Sequence, residues 1–157
     1  MMSDLNHLDD KGNVHMVDVG GKPATVRVAV AEAFISMEPE TSQRLFADDL
    51  AKGDALATIR IAAIQATKRT AELIPLCHPL SIDRVTVGIE PAESGARIEV
   101  LVGVEARTGV EMEAMTGAAV GALVLYDMVK GIDRSASVES VRLLSKSGGK
   151  SGDWRRG

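Results

Sequence analysis

Val85-Thr-Val-Gly-Ile-Glu-Pro-Ala-Glu-Ser-Gly-Ala-Arg-Ile-Glu-Val-Leu-Val-Gly-Val-Glu105 carries two runs of alternating apolar residues, Val85 to Glu90 and Ala96 to Glu105, separated by the turn-forming Pro91 to Gly95. Period-2 alternation is the mark of a half-buried strand, and a short Pro/Gly turn between two such runs makes an antiparallel hairpin. Upstream, Val26, Val28 and Val30 alternate with Thr25, Arg27 and Ala29, which predicts a strand to about Ile35. Pro39-Glu-Thr41 opens a helix to about Ala51, and Gly53-Asp54 ends it and caps a second that must stop before Pro75. Downstream, Gly117 to Leu125 is an apolar helical run and Ser137 to Ser145 a last strand. The order strand, helix pair, strand, strand, helix, strand predicts an α+β, ferredoxin-like (split βαβ) fold, a four-stranded antiparallel sheet with helices on one face.

The 157 residues, 45% of them hydrophobic, suit one domain with a real core. We read residues 1–13 as a flexible arm, 14–145 as the domain and 146–157 as a glycine- and lysine-rich loop and tail. No apolar run approaches bilayer length and the N-terminus has no signal-like pattern, so a soluble, cytoplasmic protein is expected. Cys77 is the single cysteine, which excludes an internal disulfide framework and a thiolate zinc site. His7, His15 and His78 lack metal-ligand spacing, and no metal or other cofactor is expected. The net charge of −4 disfavours nucleic acid, but from Asp127 onward seven bases face four acids, a balance suited to a small polyanion.

Candidate chemistry gathers in a few places. Asp127 and Lys130, three apart, share one face at the end of the apolar helix. Pro75-Leu-Cys-His-Pro79 encloses Cys77 and His78 between two prolines, on a restrained extended segment. Glu111 and Glu113 lie at the other end of the helix. If residues 111 to 127 form one helix, Glu111 and Asp127 stand ~24 Å apart, so a shared site requires a second subunit. The helix is apolar all round, with Gly117 and Gly121 four apart, as expected where both a sheet and a partner cover it. Ser147-Gly-Gly-Lys-Ser151 imitates a phosphate loop, but Leu144 stands where that motif needs glycine and no helix can follow. It is therefore no nucleotide-hydrolase loop, although its backbone N–H groups and Lys150 could close on a phosphate.

Six motifs in order resemble one family: Met16-Val-Asp-Val19 with Lys22, Thr25 and Arg27; Lys52-Gly-Asp54; Leu73-Ile-Pro-Leu-Cys-His-Pro-Leu80; Gly109-Val-Glu-Met-Glu-Ala114; Tyr126-Asp-Met-Val-Lys130; and Leu143 to Asp153. The chain resembles the cyclic pyranopterin monophosphate synthases of molybdenum cofactor biosynthesis over residues 6–154. Val129 departs from the family, where cysteine is common, at an apolar position without a proposed role. The resemblance implies a lyase that converts 3′,8-cyclo-7,8-dihydroguanosine 5′-triphosphate, supplied by a radical S-adenosylmethionine enzyme, to cyclic pyranopterin monophosphate and pyrophosphate. It implies a hexamer built from dimers with sites at subunit interfaces. By similarity Asp127 and Lys130 form the acid–base core. Leu76, Cys77, His78, Met112 and Glu113, with Glu111, bind substrate, while Lys52, Lys146, Arg27 and Lys150 hold the triphosphate. Mg²⁺ with the triphosphate is compatible with this but not implied by the residues.

Two other functions fit a ferredoxin-like shape. An RNA reader stacks bases on strand aromatics, and none of Phe34, Phe46, Tyr126 and Trp154 lies mid-strand in this reading. A small-molecule regulatory module without catalysis could use the same interface and cationic loop, but has no need of proton exchange at Asp127 and Lys130.

Overall fold

The computed structural model describes residues 7–157. Its elements run β1 (Thr25–Ser36), α1 (Pro39–Phe46), α2 (Ala55–Lys68), α3 (Thr70–Leu73), β2 (Arg84–Ala92), β3 (Gly95–Ala106), α4 (Glu111–Val129), β4 (Ser137–Ser147) and β5 (Trp154–Arg155). The sheet order is β2-β3-β1-β4-β5 with every pair antiparallel. The hairpin is tighter than the turn Pro91 to Gly95 implies, because the strands pair through Ala92 and Gly95.

Two expectations change at the C-terminus. The sheet has five strands rather than four, and the segment 146–157 is not all loop: Lys146 and Ser147 finish β4, and Trp154–Arg155 pairs back on Ser145 and Lys146. Local bonds cause this. Asp153 accepts the Gly148 N–H at 3.1 Å, closing the loop, and Arg156 donates its N–H to the Leu144 carbonyl at 2.8 Å. Of the expected N-terminal arm, residues 1–6 lie outside the described residues. The remainder turns on Asp9 and forms a bridge between Leu8 and Val14.

β1 is the middle of the sheet, paired along its length with β3 and over its C-terminal part with β4. Its odd-numbered residues Ala29, Ala31, Ala33 and Ile35 are at most 1% exposed and face the helices. Three alanines in a row leave a shallow floor, and α4 fills it with Ala114, Ala118, Ala122 and Leu125, all fully buried. The second expected helix divides at Arg69, where α2 ends and the single turn α3 begins.

Most of the apolar girdle of α4 is covered within one chain, by the sheet on one side and α2 on the other, while Met112 and Leu123 stay exposed. A Cβ at Gly117 would stand 2.4 Å from Thr67 Oγ1 and 3.2 Å from the Ala63 carbonyl oxygen, so the glycine admits α2. The glycine pair therefore gives no evidence of a partner. The helix, at 19 residues, is long and apolar enough by length and composition to cross a membrane, contrary to the expectation from the apolar run alone. More than half of it is buried inside the protein, the usual state of a core helix.

The two glycines differ in the room they leave. Gly121→Ala places a methyl 3.4–3.5 Å from Ala63 and Ile98, ordinary contact, and should be neutral or stabilising by up to ~1 kcal/mol through helix propensity. Gly117→Ala must push Thr67 aside and should cost ~1–3 kcal/mol. Urea unfolding of both variants checks this, and equal midpoints would refute the account of the helix crossing.

Candidate active site

At the N-terminal end of α4 lies a cavity of about 380 Å³. Leu76, Cys77 and His78 form one wall, Glu111, Met112 and Glu113 another, and Val17, Val19 and Lys22 a third. After α3 the segment is not uniformly extended: Pro75 and Leu76 form a turn closed by the Cys77 N–H on the Ile74 carbonyl at 3.1 Å, and Cys77 and His78 follow it outside any helix or strand. His78 Nε2 lies 2.8 Å from the Val17 carbonyl oxygen, so this nitrogen donates its hydrogen and pins the N-terminal segment over the cavity. Lys22 and Thr108 also line the cavity, and neither was among the expected site residues. Both precede elements that the sequence locates, but only the fold brings them to the same cavity.

Glu113 is 4% exposed, an expensive place for a charge. Burial raises its pKa to about 7, its own backbone N–H opposes the shift, and the charge of Glu111 adds to it. The Thr67 hydroxyl donates to the Glu113 carbonyl oxygen at 3.2 Å, which ties this turn of α4 to α2. The Cys77 thiol is also raised, by burial and then by the charge of Glu113, so it remains unionised near neutrality.

Cations reach this end from the sheet because of a defect in its pairing. Val30 pairs with Ser145 but Ala31 with Leu143, so Leu144 is an extra residue, a bulge. Without the bulge, alternation would turn Lys146 to the open face of the sheet. With it, Lys146 lies opposite Ala29, on the helix-covered side, and its Nζ stands 3.1 Å from Glu111 Oε1 and 2.7 Å from Ser151 Oγ. Arg27, on the same side of β1, donates Nε–H to the Ala106 carbonyl at 3.1 Å. Gly148 and Gly149, at φ 87° and 79°, let the loop fold over β1. A Cβ at Gly149 would meet the Arg27 guanidinium at 2.2 Å. Lys150 rides on this loop and is exposed. The loop is followed by β5.

The other end of α4 holds a second cluster. Asp127 Oδ1 accepts from Lys130 Nζ at 2.7 Å, and its Oδ2 from Lys52 Nζ at 2.9 Å. Lys52 also donates to the Asp127 carbonyl oxygen at 2.5 Å. These three side chains are about half exposed. The hydrogen bond from Lys130, then that from Lys52, holds the Asp127 carboxyl down at about 2, and the Lys130 ammonium is raised by the same bond.

One continuous helix joins the two clusters, and 16 residues at 1.5 Å rise separate Glu111 from Asp127 by ~24 Å. The structure brings Leu76, Cys77, His78, Glu111, Met112 and Glu113 together, with Lys146, Arg27 and the Lys150 loop beside them. Lys52, expected with the triphosphate ligands, stands instead with Asp127 and Lys130. Among the described residues no three His, Cys, Asp or Glu side chains are placed to hold a metal ion.

The family profile described as the MoaC family matches residues 16–149. The cyclic pyranopterin monophosphate synthase of Roseiflexus sp. is 54% identical over 155 residues, covering 98% of each chain. That of Thermomicrobium roseum is 51% identical over 157 residues, covering 99% of this chain and 95% of the relative. The Brucella ovis protein of the same name is 51% identical over 156 residues, covering 98% and 94%. A match of this length and identity, embracing both clusters, the bulge and the C-terminal loop, shows that the chain belongs to the MoaC family.

Proposed function

We propose that this protein is a cyclic pyranopterin monophosphate synthase, a lyase that converts 3′,8-cyclo-7,8-dihydroguanosine 5′-triphosphate to cyclic pyranopterin monophosphate and pyrophosphate. The observation that carries this reading is the end-to-end match, at 51–54% identity, to relatives bearing that name. The site has the groups such a reaction needs. Opening the purine-derived ring and closing a pyrazine ring move protons, and a carboxyl that titrates near neutrality, as Glu113 does, can both give and take one. Expelling pyrophosphate builds negative charge, which Arg27, Lys146 and Lys150 would stabilise from the loop side of the cavity.

Held by two ammonium groups, the Asp127 carboxylate is a weak base, and its part is to orient the two lysines. Lys130, kept as an ammonium, is the proton donor of that cluster, with Lys52 a second cation. Because one α4 keeps the clusters ~24 Å apart, a complete site takes the cavity of one subunit and the lysine cluster of another. A hexamer built from dimers, with interfacial sites, is the assembly we propose, acting in the cytoplasm on the product of a radical S-adenosylmethionine enzyme. A regulatory module without catalysis has no feature in its favour that the enzyme lacks.

Asp127→Ala and Lys130→Ala should fold and assemble as the parent does yet release no pyrophosphate from the cyclic dihydro substrate, as read by phosphate analysis and mass spectrometry of the pterin. Full turnover by both would remove the catalytic assignment.

Glu113 yields a separate expectation for stability. Between the ordinary glutamate range and about 7 the folded protein keeps a proton that the unfolded chain has released, so stability falls as pH rises through that window. Glu113→Gln lacks this loss and should gain roughly 1–3 kcal/mol on the parent between pH 4 and pH 8 in chemical unfolding. It should also lose most turnover, and a pH-independent difference in stability would disprove the raised carboxyl.

A further inference from the structure

Asp133 is 6% exposed, carries a charge, and lies outside both clusters. Its Oδ1 accepts the Ser135 N–H at 3.0 Å and the Ser135 hydroxyl at 2.6 Å, and its Oδ2 accepts the Glu38 N–H at 2.9 Å. Its own backbone N–H donates to the Val129 carbonyl at 2.9 Å and so closes the last turn of α4. One residue therefore bonds the end of α4, the turn into β4 and the start of α1.

The start of α1 has no capping side chain of its own, since Glu38 occupies the N-cap without a side-chain bond. From across the chain Asp133 accepts the N–H of that N-cap residue, the donor that the N3 carboxylate of a capping box would serve. The helix is eight residues long and buries only Thr41 and Leu45, so few contacts decide where it lies. From its end the chain runs through the 47–54 loop to Lys52, whose side chain returns to Asp127. A closed circuit results: Asp127 and Lys130 on α4, Asp133 after it, α1, Lys52, and Asp127 again.

We propose that Asp133 is the positioning residue of the Lys52–Asp127–Lys130 cluster, bracing α1 against the end of α4 so that Lys52 reaches the Asp127 carboxylate. This rests on the catalytic reading of that cluster given above. Asp133 touches no substrate and acts through α1.

The test follows the Asp127 side-chain carbon by NMR from pH 3 to 6 in the full-length protein, alongside steady-state pyrophosphate release. In the parent, Asp127, held at about 2, should show no midpoint in this range. In Asp133→Asn, which loses one accepting oxygen but keeps the volume, Lys52 withdraws and Asp127 takes up its proton nearer the ordinary aspartate value of about 4. kcat should fall about tenfold while KM changes less than about twofold, because the cavity at the far end of α4 is untouched. Ser135→Ala removes a single hydroxyl from an exposed loop, and should move the Asp127 midpoint in the same direction by less. An unshifted Asp127 titration in a folded Asp133→Asn protein, or in Ser135→Ala should Asp133→Asn not fold, overturns the proposal. A shifted titration with unchanged turnover supports the brace and overturns the catalytic reading of the cluster.

Discussion

The packing of α4 onto the alanine-lined face of β1 is the contact on which the rest depends. Ala29, Ala31 and Ala33 make a floor without protruding side chains, and Ala114, Ala118 and Ala122 let the helix settle on it. Gly117 then brings α2 close enough for Thr67 to bond the Glu113 carbonyl. Small residues at both surfaces give a close, rigid contact, because interdigitated cores tolerate little shift before atoms overlap. A helix held this firmly is a rod with chemistry at both ends.

The two ends treat charge in opposite ways. At the N-terminal end burial dominates, and Glu113 is driven toward its neutral form although the helix terminus favours an anion there. At the C-terminal end water reaches the side chains and hydrogen bonds to two ammonium groups dominate, so Asp127 is held ionised. Two carboxylates on one helix thus differ by about five in pKa through environment alone, the condition under which one can exchange protons and the other can orient cations.

The bulge at Leu144 shows how a local irregularity decides membership of a site. Alternation in β4 would send Lys146 to the uncovered face of the sheet, and one extra residue returns it to the side of Glu111. The same displacement leaves the Leu144 carbonyl for the Arg156 N–H, which helps hold β5 and so the loop carrying Lys150. Period-2 reading of the strand cannot reveal such a bulge, because residues 137–147 look continuous in hydropathy.

Much of the architecture was legible in the chain itself. Alternating valines marked β1, the Pro91–Gly95 turn the hairpin, Pro75 the end of the helical segment, and the spacing of Glu111 and Asp127 showed that one helix must keep them apart. These are local consequences of strand period, helix rise and proline geometry. What tertiary structure alone decided was long-range: that Gly117 serves α2 rather than a partner, that Lys52 meets Asp127, that Lys22 and Thr108 reach the cavity, and that Asp133 caps a helix 95 residues earlier in the chain. Contacts of that span depend on how the elements stack and on which groups lose water, and neither is encoded in the spacing of residues along the sequence.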